Sequence, residues 1–302
     1  MKQFKLRYVR FLLKRVYRIL IMLLLASFSI FLTFACNGKF SNTSANVGGL
    51  SPTTNCRTVQ HIAGKTCIRA DLKHVVTLSL PALGNALVLD IQPVGSTNHN
   101  QKEYKFPKYL EGKTAAVESL GSNAQPNLEK ILLLKPDLIF GWNRNNRVTY
   151  PLLNKIAPTL LYDWQGTTTW RDHFNFMAKA VEKEDAAQKA WNHYYQRIQE
   201  LKIVLGKRYQ NKSISFVYFC CNKMISQANN SFVGSILTDI GLKRPKAQDL
   251  STTYGEIPIV EEELEKIDGD ILFVAAYYDN DKSRLNKLQQ KPLWKKLRAV
   301  KL

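Results

Sequence analysis

The chain has 302 residues, 45% of them hydrophobic, with 43 Lys and Arg against 24 Asp and Glu for a formal charge of +19. That length permits two domains with proper cores, and no repeat of fixed period is visible, which excludes a solenoid. There is no HExxH, GxSxG, CxxC or GxGxxG, and the five histidines (His61, His74, His99, His173 and His193) show no ligand spacing, which argues against a protein-held metal and against the motif-bearing enzyme classes.

Residues 2 to 18 carry seven Lys or Arg and no acid, and the seventeen-residue apolar run "ILIMLLLASFSIFLTFA" leads to Cys36. A basic segment, an apolar segment and a small residue before the break describe an export signal over 1–36. Three fates stay open: lipidation of Cys36 with cleavage before it, an uncleaved membrane anchor, or plain secretion. Thr33 and Phe34 depart from the usual approach to a lipidated cysteine. The seven basic residues of the signal leave +12 on the rest, a balance that suits anionic ligands or an anionic membrane; export makes nucleic acid an unsuitable partner. Residues 37–55, polar and rich in Ser, Asn and Gly, read as a flexible tether.

Cys56 and Cys67 bracket "RTVQHIAGKT", two β-like runs about a turn. In an oxidising compartment a disulfide clamping a hairpin is one reading and two free thiols the other. "AGKT" at 63 to 66 ends like a phosphate loop, but Val59 stands where that pattern needs Gly. From there apolar runs alternate with short helical patterns. "KHVVTLS" predicts a strand, "PALGNALVLD" a helix and "QPVGST" a strand; "PNLEKILLL" predicts a helix stopped by Pro136, and "LIFGW" a buried strand. "YPLLNKIA" and "PTLLYD" repeat the unit, as do "SISFVYFCC" with "SFVGSILTDIGL" and "EEELEKID" with "GDILFVAAYY". Cys220 and Cys221, adjacent at a strand end, read as core. Between these blocks Ala187, Trp191, Tyr194, Ile198, Leu201 and Leu205 keep three-four spacing along one long helix. The expectation is an α/β fold of two mainly parallel lobes, 56–183 with its leading hairpin and 208–302, joined by a connector helix at 184–207, with a ligand cleft between them.

The series "VVTLS…ALVLDIQPVGST", "SLGSNAQPNLEKILLLKPDLIFGW", "YPLLNKIAPTLLYDW", "ILTDIGLKRP" and "IPIVEEELEKIDGDILFV" resembles the iron-siderophore, haem and cobalamin binding proteins of bacterial ABC importers. The "CRTVQH…GKTC" opening is most similar to the ferric-siderophore branch. The resemblance implies a monomeric, non-enzymatic, lipid-anchored receptor on the outer side of the cytoplasmic membrane. It would hold a ferric siderophore in the cleft, with no cofactor of its own because the chelator holds the iron, and would pass it to permease subunits. By match to "PNLE" and "IPIVEEELE", Glu129 and Glu262 would dock into permease arginines; Glu261 and Glu263 flank the latter. Two features depart from the resemblance. Asn85 stands where many relatives carry Glu, and the chain stops at "PLWKKLRAVKL", so the second lobe is expected to be short of a strand and a closing helix.

Candidate ligand contacts lie at strand ends and in the loops that follow: Ser79, Leu80, Trp142, Arg144, Arg147, Trp164, Trp170, Tyr218, Tyr254, Tyr277 and Tyr278. A ferric chelate offers apolar flanks to aromatic rings and negative oxygens to arginine. Haem or cobalamin would suit the same aromatics, and an exported enzyme on this scaffold would need a nucleophile and base that the sequence does not offer. For the anchor, Cys36→Ser should abolish metabolic lipid labelling; a labelled Cys36→Ser protein would place any lipid elsewhere.

Overall fold

A computed structural model describes residues 56–98, 106–220, 222–276 and 279–301. The expected signal and tether, Cys36 included, lie outside the described residues, as do Cys221, Tyr277 and Tyr278.

Two short strands, β1 (Cys56–His61) and β2 (Gly64–Arg69), form an antiparallel hairpin with Cys56 opposite Arg69. Cys56 and Cys67 are joined as a disulfide, their Cα atoms 5.6 Å apart. The chain then enters β3 (Val75–Thr77), α1 (Leu80–Val88), β4 (Gly95–Asn98), β5 (Glu118–Ser122), α2 (Leu128–Leu133) and β6 (Leu138–Trp142). A single turn α3 (Asn143–Asn146), α4 (Tyr150–Ile156) and β7 (Thr159–Tyr162) complete the sheet. Its order is β5-β4-β3-β6-β7, every pair parallel. Parallel strands need crossovers, and helices on both faces make the strands apolar on both. The period of two shows it: Val75, Leu138, Phe140 and Leu160 face one core with Met177 and Ala178, while Val76, Leu78, Leu120 and Ile139 face the other with Ile131 and Leu153. The hairpin extends the β7 side, Ile62 N–H donating to Leu161 O at 3.2 Å and Leu161 N–H to His61 Nδ1 at 3.2 Å.

Local chemistry sets the helix ends. Ser79 Oγ accepts from Ala82 N–H at 3.2 Å and caps α1; Asn127 Oδ1 accepts from Lys130 N–H at 2.9 Å and caps α2. Past α2, Lys135 takes a left-handed φ of 48° just before Pro136, so the helix cannot continue. Two helices follow: α5 (Trp170–Ala180), which packs on the first lobe's core, and the 22-residue α6 (Glu184–Leu205), about 33 Å long at 1.5 Å per residue. Ala187 and Ile198 of α6 are buried. Leu201, expected on its apolar stripe, is 37% exposed, so packing fades toward the C-terminal end.

The second lobe holds β8 (Ile214–Cys220), β9 (Lys223–Gln227), α7 (Phe232–Ile240), β10 (Glu256–Ile259) and β11 (Ile271–Ala276), with α8 (Asp279–Gln289) and α9 (Pro292–Lys295) after them. Its sheet order is β10-β9-β8-β11, and only β8–β11 is parallel. This corrects the expected strand sense: "KMISQ" returns as a hairpin partner of β8, and "EIPI" pairs antiparallel to it, two short strands that periodicity did not reveal. "EEELEKID" is likewise not an α-helix; Glu261–Ile267 forms 3-10 turns kinked at Glu263. The core joins Val217, Phe219, Met224 and Ile259 to Leu264, Ile267, Leu288, Trp294 and Leu297.

Phe140 is 2% exposed at the centre of the first lobe. Phe140→Ala should lower stability by about 3–5 kcal/mol, read by urea denaturation; a loss under about 1 kcal/mol would mean that the two layers do not pack through this ring.

Candidate functional site

In the five-stranded sheet the chain runs outward from β3 to β5, then returns to the other side of β3 as β6 and β7. The carboxyl ends of β3 and β6 therefore flank a topological switch point, where open parallel sheets place their ligand crevice. Trp142 ends β6 there. Asn146, fully buried, accepts the Trp142 N–H on Oδ1 at 2.9 Å, and a Cβ on Gly141 would meet that oxygen at 2.9 Å. Asn143 ties the strand end to the loop after β7: its Nδ2 donates to Asp163 at 2.5 Å and its Oδ1 accepts the Trp164 N–H at 3.2 Å. Trp164 consequently stacks on Trp142, centroids 4.4 Å apart and planes within 5°.

His173 of α5 closes the cluster. Its ring sets an edge on Trp164 at 5.5 Å and lies 4.8 Å from Tyr162. The Asn85 amide donates to His173 Nδ1 at 3.2 Å, a contact that needs the imidazole neutral on that nitrogen. Burial lowers the His173 pKa to about 3. Asn85, the departure noted in the first helix, is thus the neutral partner of a neutral, buried ring. The Trp142 indole N–H is buried with no acceptor among the described residues.

The lobes meet beside this cluster. Trp170 starts α5, donates its indole N–H to Ser235 of α7 at 3.1 Å and packs on Phe232, Trp191 and Tyr194, with the Arg171 guanidinium 4.3 Å above its ring. Asp239 of α7 accepts from both Arg171 and Tyr194 at 2.6 Å. Burial, and then the hydrogen bond to Asp239, push the Tyr194 pKa up to about 12. Gly166, at φ 71°, lets the first lobe approach the second closely: a Cβ there would lie 2.7 Å from Tyr254 O.

The expected site residues separate on these facts. Trp142 and Trp164 come together at the switch point. Ser79 is the buried cap of α1, and Leu80 packs with Leu83, Phe106, Leu110 and Val117. Trp170 belongs to the interlobe seam. Arg144 is exposed, and Arg147 borders a hollow of about 300 Å³ against Ile62, Ala63 and Tyr150 at the hairpin tip. Tyr218 Oη donates to Glu256 at 2.9 Å, and Tyr254 is 53% exposed. Glu129 and Glu262 are exposed and form no ion pair among the described residues, whereas Glu261 pairs with Lys291 and Glu263 with Lys266. That difference separates Glu262 from its neighbours. Sequence reasoning missed Asn143, Asn146, Asp163, His173, Arg171, Asp239 and the role of Tyr194. Asn143 and Asn146 carried a signal, both lying in a "GWNRNN" stretch too polar for a core.

Two α/β lobes joined by one long helix, with an aromatic cluster at the switch point, define a two-lobed binding scaffold. The chain belongs to the periplasmic binding protein family, whose pattern matches residues 75–302. It is 33% identical over 275 residues to the Fe(3+)-citrate-binding protein YfmC of Bacillus subtilis, covering 89% of this chain and 84% of that protein. It is 32% identical to the probable siderophore-binding lipoprotein YfiY of the same organism, over 88% of this chain and 83% of that one. Its fold is similar to Staphylococcus aureus SirA crystallised with staphyloferrin B, at a TM-score of 0.69 and 27% identity, covering 81% of this chain and 87% of that one.

Below pH 6.5 an unfolded His173 takes up a proton that the folded ring refuses until about pH 3. Unfolding therefore gains a proton as pH falls through that window, and stability drops by up to about 1.4 kcal/mol per pH unit; above 6.5 this contribution is flat. His61, lowered by burial too, acts in the same sense. His173→Gln should lose less stability than wild type between pH 7 and pH 5, read from urea midpoints, and equal losses would show that the folded imidazole takes up its proton as readily as the unfolded one.

Proposed function

We propose that this chain is the substrate-binding protein of an ABC importer, capturing a ferric siderophore between its lobes and delivering it to the permease. The observation that carries the reading is likeness above 30% identity, over most of both chains, to two proteins named for ferric citrate and for siderophore binding. The aromatic cluster fits this ligand class. The half-buried Trp164 offers apolar ring surface with the buried Trp142 ring stacked against it, while Arg144, Arg147, Tyr218 and Tyr254 supply charge and hydrogen bonds. Tyr277 and Tyr278, outside the described residues, extend the set. The chelator holds the iron, so the protein needs no metal ligand or cofactor, and it performs no reaction on its cargo.

In this reading a lipid on Cys36 holds a monomer at the outer face of the cytoplasmic membrane, and the tether lets the lobes reach the permease. Glu129 and Glu262, exposed and with no ion pair among the described residues, are the docking carboxylates. Such a carboxylate takes an arginine bidentately, and each exposed pair alone contributes under about 1 kcal/mol.

Tryptophan fluorescence against ferric citrate, hydroxamate and catecholate chelates, haem and cobalamin tests the ligand; saturable quenching is expected with a ferric chelate, and a response to haem or cobalamin alone would reassign it. Glu129→Ala/Glu262→Ala should leave chelate affinity unchanged while uptake of radiolabelled iron falls sharply. Normal uptake would remove the docking role, and lost chelate affinity in a folded protein would move the carboxylates into the cleft.

A further inference from the structure

On α2, Ile131 points into the core and is fully buried, whereas Leu132 and Leu133 are 59% and 78% exposed. Helical spacing puts residues 132 and 133 one turn beyond residue 129 on the face opposite Ile131. A carboxylate with no ion pair among the described residues and two exposed leucines thus share one outward surface. Lys130, the nearest cation in sequence, is occupied: its ammonium donates to Glu118 at 2.6 Å and to Ser119 O at 3.2 Å. Beside the leucines opens a hollow of about 560 Å³ whose apolar lining includes Pro93, Val94, Ala116, Leu133 and Leu134, with the Glu118–Lys130 pair along its polar side.

We infer that this whole face, Glu129 with Leu132, Leu133 and the hollow, is one docking surface, and that its occupant is a permease segment carrying an arginine about one helical turn from a large apolar side chain. The inference rests on the docking role proposed for Glu129 and extends it from a charge contact to a mixed one. Charge complementarity sets the occupant: an exposed acid with no ion pair among the described residues calls for a cation, and the leucines beside it call for an apolar neighbour to that cation. A purely electrostatic contact would leave both leucines in water; covering them makes the contact less sensitive to salt than a bare ion pair. Glu262 has a similar setting, since Val260, at the start of its turn, is 52% exposed.

The test compares Leu132→Gln/Leu133→Gln, Glu129→Ala/Glu262→Ala and wild type as the full chain in host cells, with iron-55 supplied in turn as ferric citrate, hydroxamate and catecholate chelates. Folding is checked by circular dichroism and chelate affinity by tryptophan fluorescence. The expected result is that the leucine variant keeps its fold and chelate affinity but loses at least fivefold in uptake, as the glutamate variant also does. Normal uptake in the leucine variant with reduced uptake in the glutamate variant would overturn the apolar contact and leave the docking reading standing. Normal uptake in both would overturn the docking reading and this inference together. Concentration-dependent dimerisation of the wild type in sedimentation, abolished in the leucine variant, would assign the face to a second copy of the chain and overturn the proposal.

Discussion

Parallel pairing of β3 with β6 is the constraint from which the first lobe follows. Two parallel neighbours cannot be joined by a tight turn, so each strand must be fed by a crossover that returns to its starting edge. Five strands built this way deliver five carboxyl ends to one edge, and the loops leaving them carry the polar and aromatic residues that the strands cannot. Reversal of strand order at β3 keeps the β3 and β6 loops from covering one another. Trp142 stands at that gap because β6 ends there, and Asn146 and Asn143 fix its backbone and its neighbour.

The cluster around Trp142 is built for neutrality. His173 is surrounded by rings and an amide rather than by carboxylates, so burial is uncompensated and the imidazole stays uncharged. The wall that these rings form is therefore uncharged. The parallel stack of Trp142 on Trp164 fixes the two rings against each other.

The lobes are joined by more than the connector. Arg171 on α5 and Tyr194 on α6 both donate to one carboxylate oxygen of Asp239 on α7, and Trp170 fills the space beside them. The three elements belong to the first lobe, the connector and the second lobe, so relative motion must break charge-assisted bonds at one point. This seam favours limited movement, in keeping with a 22-residue helix that packs on both lobes.

Sequence alone determined the rhythm of strands and helices, the hairpin, the long helix and the capped start of α2, because each depends on spacing or on one residue's backbone preference. Pro136 forbids continuation of the helical run that precedes it, and Val75 to Leu78 alternate between two cores as any doubly covered strand does. Tertiary structure alone decided the antiparallel returns of β9 and β10, since short mixed segments such as "KMISQ" gain strand character from the neighbour they pair with. It alone separated Ser79 and Leu80, spent on a cap and a core, from Trp142 and Trp164, and it singled out Glu262 by pairing both of its neighbours with lysines. It also brought Asn85 to His173 across 88 residues. Such contacts have no period and no local signal, because they arise only when separate elements are packed face to face and each buried polar group must find a partner.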